Sequence, residues 1–234
     1  TLLNHLNMNN LIQLKNVSKN YINSKKIEVL KNVNYTFKSG NIYSLTGPSG
    51  SGKSTLLNLI SLIDKPSSGF IKLDNIKIND NDNDQKDMIR SRKIGIIYQD
   101  KNLLGDFTTL ENVYMARLSL SNNKKKAVVD AKNLLKKVGL DKRLNHFPSE
   151  LSGGESQRVA ISRALINSPD IILADEPTGN LDIKNARDIF KLLFSLRNKN
   201  RIIIFATHNR YFADMSDCKL SLIDGKVITV NARN

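Results

Sequence analysis

The residues best equipped for chemistry lie at Gly47–Ser54, where GPSGSGKS satisfies the pattern G-x-x-x-x-G-K-[S/T]. Glycines at 47, 50 and 52 let backbone N–H groups turn inward on phosphate oxygens, and a helix starting near Lys53 would present its positive end to the same anion. Lys53 adds a cation for the outer phosphates, and the Ser54 hydroxyl is suited to magnesium. Pro48, Ser49, Ser51 and Thr55 complete the stretch that would wrap the phosphates. A second group closes the apolar run ILADE, where Asp175 suits the magnesium shell and Glu176 suits a general base that polarises an attacking water. Alone, such an acidic pair is more often just a helix cap, and it is the phosphate loop beside it in the pattern that turns the reading toward catalysis. The third group is LSGGE: Ser152 offers a hydroxyl, Gly153 and Gly154 offer N–H groups, and Glu155 sits in the first turn of a helix. Its plain alternative is an ordinary N-cap.

These groups need elements to hold them. LIQLKNV, KIEVLKNVNYTF and NIYSLT read as strands, an antiparallel edge feeding a buried strand that ends at the glycine loop. STLLNLISLID follows with helical spacing and stops before Lys65-Pro66. Residues 74–87 are polar and read as a mobile surface segment between two lobes. Helical signals dominate from about 88 to 150, with a capping box at Thr108 and Glu111 and an apolar stripe of Val128, Ala131, Leu135 and Val138 ending at Gly139. SQRVAISRALIN reads as a helix ended by Ser168-Pro169. From Ile171 strand, helix and strand alternate, and a final strand pair turns at Asp224-Gly225. The expected fold is α/β: a phosphate-loop core with a mostly parallel sheet, an antiparallel β edge subdomain and a helical insertion. Residues 1–87 would form the β subdomain and first half of the core, 88–150 the helical subdomain, and 151–234 the second half of the core.

In this order GPSGSGKS, Gln99, LSGGE, ILADEP, Asn180-Leu181-Asp182 and His208 resemble the ATP-binding-cassette ATPases over essentially the whole chain. The resemblance implies ATP and Mg2+ as ligands, with Tyr21 stacked on adenine and Gln99 joining Ser54 and Asp175 around the metal. Ser152, Gly153, Gly154 and Glu155 would bind the γ phosphate of ATP held by a second copy. Asp182 would bridge that head-to-tail dimer, and His208 would contact the γ phosphate and the attacking water beside Glu176. It also implies integral membrane permease partners and a peripheral place on the cytoplasmic face of the inner membrane. Taken singly, Tyr21 reads as a packed strand aromatic, Gln99 as a surface amide and His208 as a polar residue after a strand; His5 and His146 receive no role. The stretches Tyr98–Val113 and Asn145–Asp182 resemble the lipoprotein-releasing branch of the family most closely, while macrolide-exporter and cell-division branches share more of the second stretch than of the first. Leu103, Leu104 and Phe107 would contact a partner's helix or pack within the helical lobe. Two departures stand out: Asn209 follows His208 where the family more often has Asp, and Ser156 occupies a usually basic place. Neither is expected to abolish activity.

Composition narrows the rest. A chain of 234 residues with 40% hydrophobic content can bury one good core. Its longest apolar runs fall well short of the roughly 20 residues that span a bilayer. No signal peptide is visible in TLLNHLNMNN, and a single cysteine, Cys218, allows no intrachain disulfide, so a reducing compartment is expected. The net charge of +14 is spread along the chain, Lys124–Lys126 reads as a solvated face, and no nucleic-acid partner is expected. A cassette acting on DNA or ribosomes would carry a long coiled coil or a second cassette, and neither is present. A kinase built on the same loop leaves LSGGE and His208 unexplained.

Overall fold

The computed structural model describes residues 11–22, 26–74, 76–78 and 80–232; the N-terminal stretch with His5 lies outside them. The chain divides into two compact units, the described residues of Thr1–Lys86 with Arg197–Asn234, and Asp87–Leu196.

In the first unit, β1 (Leu11–Ile22) and β2 (Lys26–Lys38) pair antiparallel. After β3 (Ile42–Thr46) and α1 (Lys53–Ile60), β4 (Ser68–Leu73) adds to the free side of β1, and β5 (Ile76–Lys77) pairs with β4. Close approach requires one glycine here: a Cβ on Gly69, whose φ is +80°, would lie 2.2 Å from the carbonyl oxygen of Asn16.

The second unit opens with most of α2 (Asn83–Lys93), β6 (Ile94–Ile97), α3 (Thr109–Leu118), α4 (Lys124–Lys137), α5 (Gly153–Leu165), β7 (Ile171–Asp175) and α6 (Ile183–Ser195). β6 and β7 run parallel, from Ile94 beside Ile171 to Ile97 beside Ala174. Gly95 lets α5 lie close on β6, since a Cβ there would stand 2.5 Å from Ala164 O. The helices meet on a buried cluster of Val113, Ala131, Leu135, Val138, Leu140, Val159 and Ile166. Each large aliphatic side chain buried there contributes about 1.5–3 kcal/mol.

The first unit closes with β8 (Ile202–Ala206), α7 (Arg210–Asp214), β9 (Cys218–Ile223) and β10 (Lys226–Ala232). β3 lies parallel between β8 and β9, and β10 pairs antiparallel with β9. β3 and β8 are buried almost throughout, which is why they read as unbroken apolar runs and not as alternation. Parallel strands, an antiparallel β edge and a helical part are all present, as the sequence predicts.

Several elements depart from their local pattern. α1 ends at Ile60, short of Asp64, because Ser61 caps it and Leu62 turns to a positive φ of 61°. The polar stretch 74–87 is not simply a surface loop: α2 starts within it, where Asp82 Oδ1 accepts the Gln85 N–H at 2.8 Å. β6 is a strand where helical signals were expected to dominate; IGII is β-branched and apolar, and it pairs with β7. In α4 the buried stripe is Ala127, Ala131 and Leu135, and Val128 sits half-buried at its margin. Among the described residues no helix is long and apolar enough to cross a membrane.

Candidate functional site

β3 delivers the chain into the glycine loop. Gly47, Gly50 and Gly52 have φ of 144°, 75° and 100°, all in the region that side chains rarely adopt. A Cβ on Gly47 would stand 2.5 Å from Leu222 O, and one on Gly52 would stand 2.9 Å from Val29 Cγ1, so the loop is pressed against the sheet as well as turned. Gly52 caps α1 without a side chain, and no acidic residue occupies the first turn, which leaves the positive helix end uncompensated. Lys53 is buried, and its ammonium donates to the carbonyls of Gly47 and Pro48 at 3.0 Å each. Ser51 Oγ is buried without a hydrogen-bond partner among the described residues. A phosphate oxygen would satisfy it. Pro48, Ser49, Gly50 and Ser54 are exposed, and Thr55 is half-buried. Tight glycine turns, a buried lysine, an orphan hydroxyl and a bare helix N-terminus fit a chain of phosphates.

His208 reaches the same end of the first unit. β8 runs parallel beside β3, the Thr207 N–H donates to Leu45 O at 3.1 Å, and His208 follows, exposed. Asn209 caps α7, its Oδ1 accepting the Tyr211 N–H at 3.0 Å. Asn caps a helix as well as Asp does, so the departure at this position costs α7 nothing. Tyr21, near the end of β1, is partly exposed, and its hydroxyl donates to Asp64 Oδ2 at 3.0 Å.

In the second unit the candidate residues form two groups. Asp175 ends β7 and Glu176 follows it; both are half-buried, and Glu176 has a φ of 43°. A glutamate in the left-handed region is strained, and such strain concentrates at functional sites. The strand order places Gln99, just past β6, beside this turn: a Cβ on Gly179 would lie 3.0 Å from Gln99 Nε2, while the Gly179 N–H donates to Glu176 O at 3.0 Å. Among the described residues no three His, Cys, Asp or Glu cluster as a metal cage.

The other group is the start of α5. Ser152 Oγ accepts the Glu155 N–H at 3.2 Å, and Glu155 Oε2 accepts the Ser152 N–H at 2.8 Å, a reciprocal capping box. Glu155 Oε1 accepts from Arg143 Nε at 2.8 Å. The Ser152 N–H and the Arg143 guanidinium together pull the Glu155 carboxyl down to about 2. Its oxygens are thus engaged within the chain, and Ser152 and Gly153 form the exposed surface of the turn. Gly154 is buried because a Cβ there would stand 2.6 Å from Asn185 Oδ1, and a Cβ on Gly153 would touch Leu181 at 3.2 Å. Asp182 caps α6 through Lys184 and Asn185 N–H groups at 3.0 and 3.1 Å, and also accepts from the Asn185 side chain. The Asn185 side chain and these N–H groups lower the Asp182 pKa.

Sequence reasoning missed four supporting residues. Arg143 anchors Glu155, and also meets His146 Nε2 at 3.2 Å, with no local signal to mark it. Asn112, 1% exposed, accepts from Leu104 N and donates to the carbonyls of Leu104, Phe107 and Thr108. It pins the loop in which Leu103 packs on the helical core while Leu104 remains exposed. Lys19 and Asp64 hold Tyr21.

Comparison with known proteins places the chain among ATP-binding cassettes in sequence and fold. The protein-family model described as ABC transporter matches residues 30–179. The lipoprotein-releasing system ATP-binding protein LolD of Cytophaga hutchinsonii is 42% identical over 203 residues, covering 86% of this chain and 93% of the relative. LolD of Rickettsia conorii is 47% identical over 211 residues, covering 89% and 93%. Among solved structures, a dimeric post-hydrolysis state of the ATP-binding cassette MJ0796 bound to ADP and Pi superposes with a TM-score of 0.86 at 40% identity, covering 94% of this chain and 99% of that one.

Proposed function

The chain belongs to the ABC transporter family as an ATP-binding ATPase, and from that premise we propose that it powers release of lipoproteins from the inner membrane. It would act at the cytoplasmic face, held there by integral permease subunits, as a head-to-tail dimer of two copies. The observation that carries the nucleotide chemistry is the loop Gly47–Ser54, with its three positive-φ glycines and buried Lys53. The likeness to LolD proteins over most of their length supports the cargo. In this reading residues 1–87 make the β subdomain and the first half of the nucleotide core, 88–150 the helical subdomain, and 151–234 the helix after LSGGE and the second half of the core.

The roles follow from the chemistry of each group. Tyr21 stacks on adenine. N–H groups of the loop, with Lys53, Ser51 and Thr55, bind the phosphates, and Ser54, Asp175 and Gln99 hold magnesium. That ion supplies charge neutralisation on the β and γ phosphates when bound. Glu176 orients a water and takes its proton as the oxygen attacks the γ phosphorus, while His208 contacts the same phosphate and water. The bond from the γ phosphorus to the bridging oxygen breaks, and ADP carries that electron pair away. Ser152 and the Gly153 and Gly154 N–H groups come from the second copy, with Glu155 holding Ser152 in its cap. Asp182 lies at the dimer contact.

Glu176→Gln tests the base. It should retain ATP, accumulate a dimer and lower turnover by roughly 10²–10⁴-fold; unchanged turnover would remove Glu176 from this role. Copurification with a permease of the lipoprotein-release type supports the cargo, and copurification with a macrolide-exporter or cell-division permease instead overturns it.

A further inference from the structure

We propose that Lys19 and Asp64 are positioning residues that lock the ring of Tyr21 in the orientation in which it meets the nucleotide base. This rests on the reading of Tyr21 as the base-stacking residue and goes beyond it, because nothing in that reading says what holds the ring. β1 nears its end at Tyr21, which pairs with Ile27 on β2, and the neighbouring Ile22 and Ile27 are 86% and 57% exposed. An aromatic at such an exposed strand end has few packing contacts to fix its rotamer.

The fixing comes instead from the far end of α1. Lys19, only 8% exposed, donates to Asp64 Oδ1 at 2.6 Å and to the carbonyl of Lys65 at 2.9 Å. The same ammonium lies 4.9 Å from the centroid of the Tyr21 ring, within cation–π range. The other carboxylate oxygen, Asp64 Oδ2, accepts the Tyr21 hydroxyl at 3.0 Å. Asp64 is itself fixed: its Oδ1 takes the Lys65 N–H at 2.7 Å, and the Asp64 N–H donates to Asn58 O in α1 at 3.2 Å. Burial raises the Asp64 pKa, but the bonds from Lys19, the Lys65 N–H and Tyr21 outweigh it, so the carboxyl stays ionised.

The ring is therefore tethered at its hydroxyl and approached by a cation, yet 41% of Tyr21 remains exposed. α1 begins at the phosphate loop and this anchor lies just past its end, so one short helix carries both phosphate-binding groups and the clamp on the base-binding ring. A ring already ordered before binding loses less entropy when the base arrives. Immobilising one such side chain corresponds to roughly a three- to tenfold difference in affinity.

The test compares two probes on the full chain: Mg-ATP, and Mg-tripolyphosphate, which has neither base nor ribose. Tyr21→Phe removes the tether and keeps the ring, without touching the Lys19–Asp64 pair; Asp64→Ala removes the anchor; unfolding midpoints are recorded alongside. Both variants should bind ATP roughly three- to tenfold more weakly, raise KM more than they lower kcat, and bind tripolyphosphate as wild type does. The effect of Asp64→Ala should vanish in a Tyr21→Ala background. If Tyr21→Ala lowers ATP affinity selectively but Tyr21→Phe and Asp64→Ala do not, stacking stands and the positioning role is wrong. Equal losses for ATP and tripolyphosphate in Asp64→Ala would make Asp64 a support of α1 only, which also overturns the proposal. Should Tyr21→Ala leave ATP and tripolyphosphate affinities in their wild-type ratio, the base-stacking reading itself fails.

Discussion

Glu155→Gln probes how firmly the start of α5 is anchored. The wild-type carboxylate accepts two bonds of 2.8 Å, from the Ser152 N–H and from Arg143 Nε, which hold its pKa at about 2 against an ordinary 4.5. At face value a depression of that size is worth about 3 kcal/mol. The Arg143 side chain is 44% exposed, so solvent screening reduces the expected loss to about 1–2 kcal/mol. Glutamine keeps one acceptor for the Ser152 N–H but gives up the charge. For a chain of this size the unfolding midpoint should fall by about 2–6 °C at pH 7. The pH dependence sharpens the test. A carboxyl whose folded pKa is depressed stabilises fully above its unfolded value of 4.5, and that contribution fades as pH drops through about 2. Urea unfolding of wild type and variant should therefore differ most at pH 7, with the gap more than halved by about pH 3. Arg143→Met should reproduce most of the loss, and the double variant should lose less than the sum. A gap that is absent at pH 7, or the same at pH 7 and pH 3, would refute the anchoring.

Gly47→Ala places a Cβ 2.5 Å from Leu222 O at a φ of 144°; it should cost about 1–3 kcal/mol and abolish ATP retention in equilibrium dialysis. Retention at wild-type strength would show that the tight turn is dispensable. Asn112→Ala strips its bonds from Leu104 N and from the carbonyls of Leu104, Phe107 and Thr108 in a buried setting. It should lower stability by about 2–3 kcal/mol and speed amide exchange at Leu104, measured by hydrogen exchange.

The α/β layout was readable because its signals are local. The apolar runs of β3, β7 and β8 mark strands buried on both faces, and the capping boxes at Thr108 and Ser152 mark helix starts within a few residues of the groups they satisfy. The places where local reading failed share a cause. Leu62 and Ile63 continue the helical spacing of α1, yet the chain turns at Leu62, so the helix is shorter than its pattern. β6 was hidden because four apolar residues carry no period of their own; its pairing with β7, far along the chain, makes it a strand. Asp82 and Gln85 did carry a helix-start signal, obscured by the polarity around them.

By itself the sequence marked the groups on which the proposed chemistry rests: the glycine loop with Lys53 and Ser54, the pair Asp175 and Glu176, the helix start at Ser152, and His208 after an apolar strand. Each is set by residue types a few positions apart, because a turn, a cap or a strand end is built from neighbours. Only the tertiary structure decided what holds them, from Arg143 on Glu155 to Lys19 and Asp64 on Tyr21, Leu222 O behind Gly47 and Asn185 behind Gly154. Those contacts join atoms distant along the chain, and their energy depends on distances of 2.5–3 Å that no local pattern encodes.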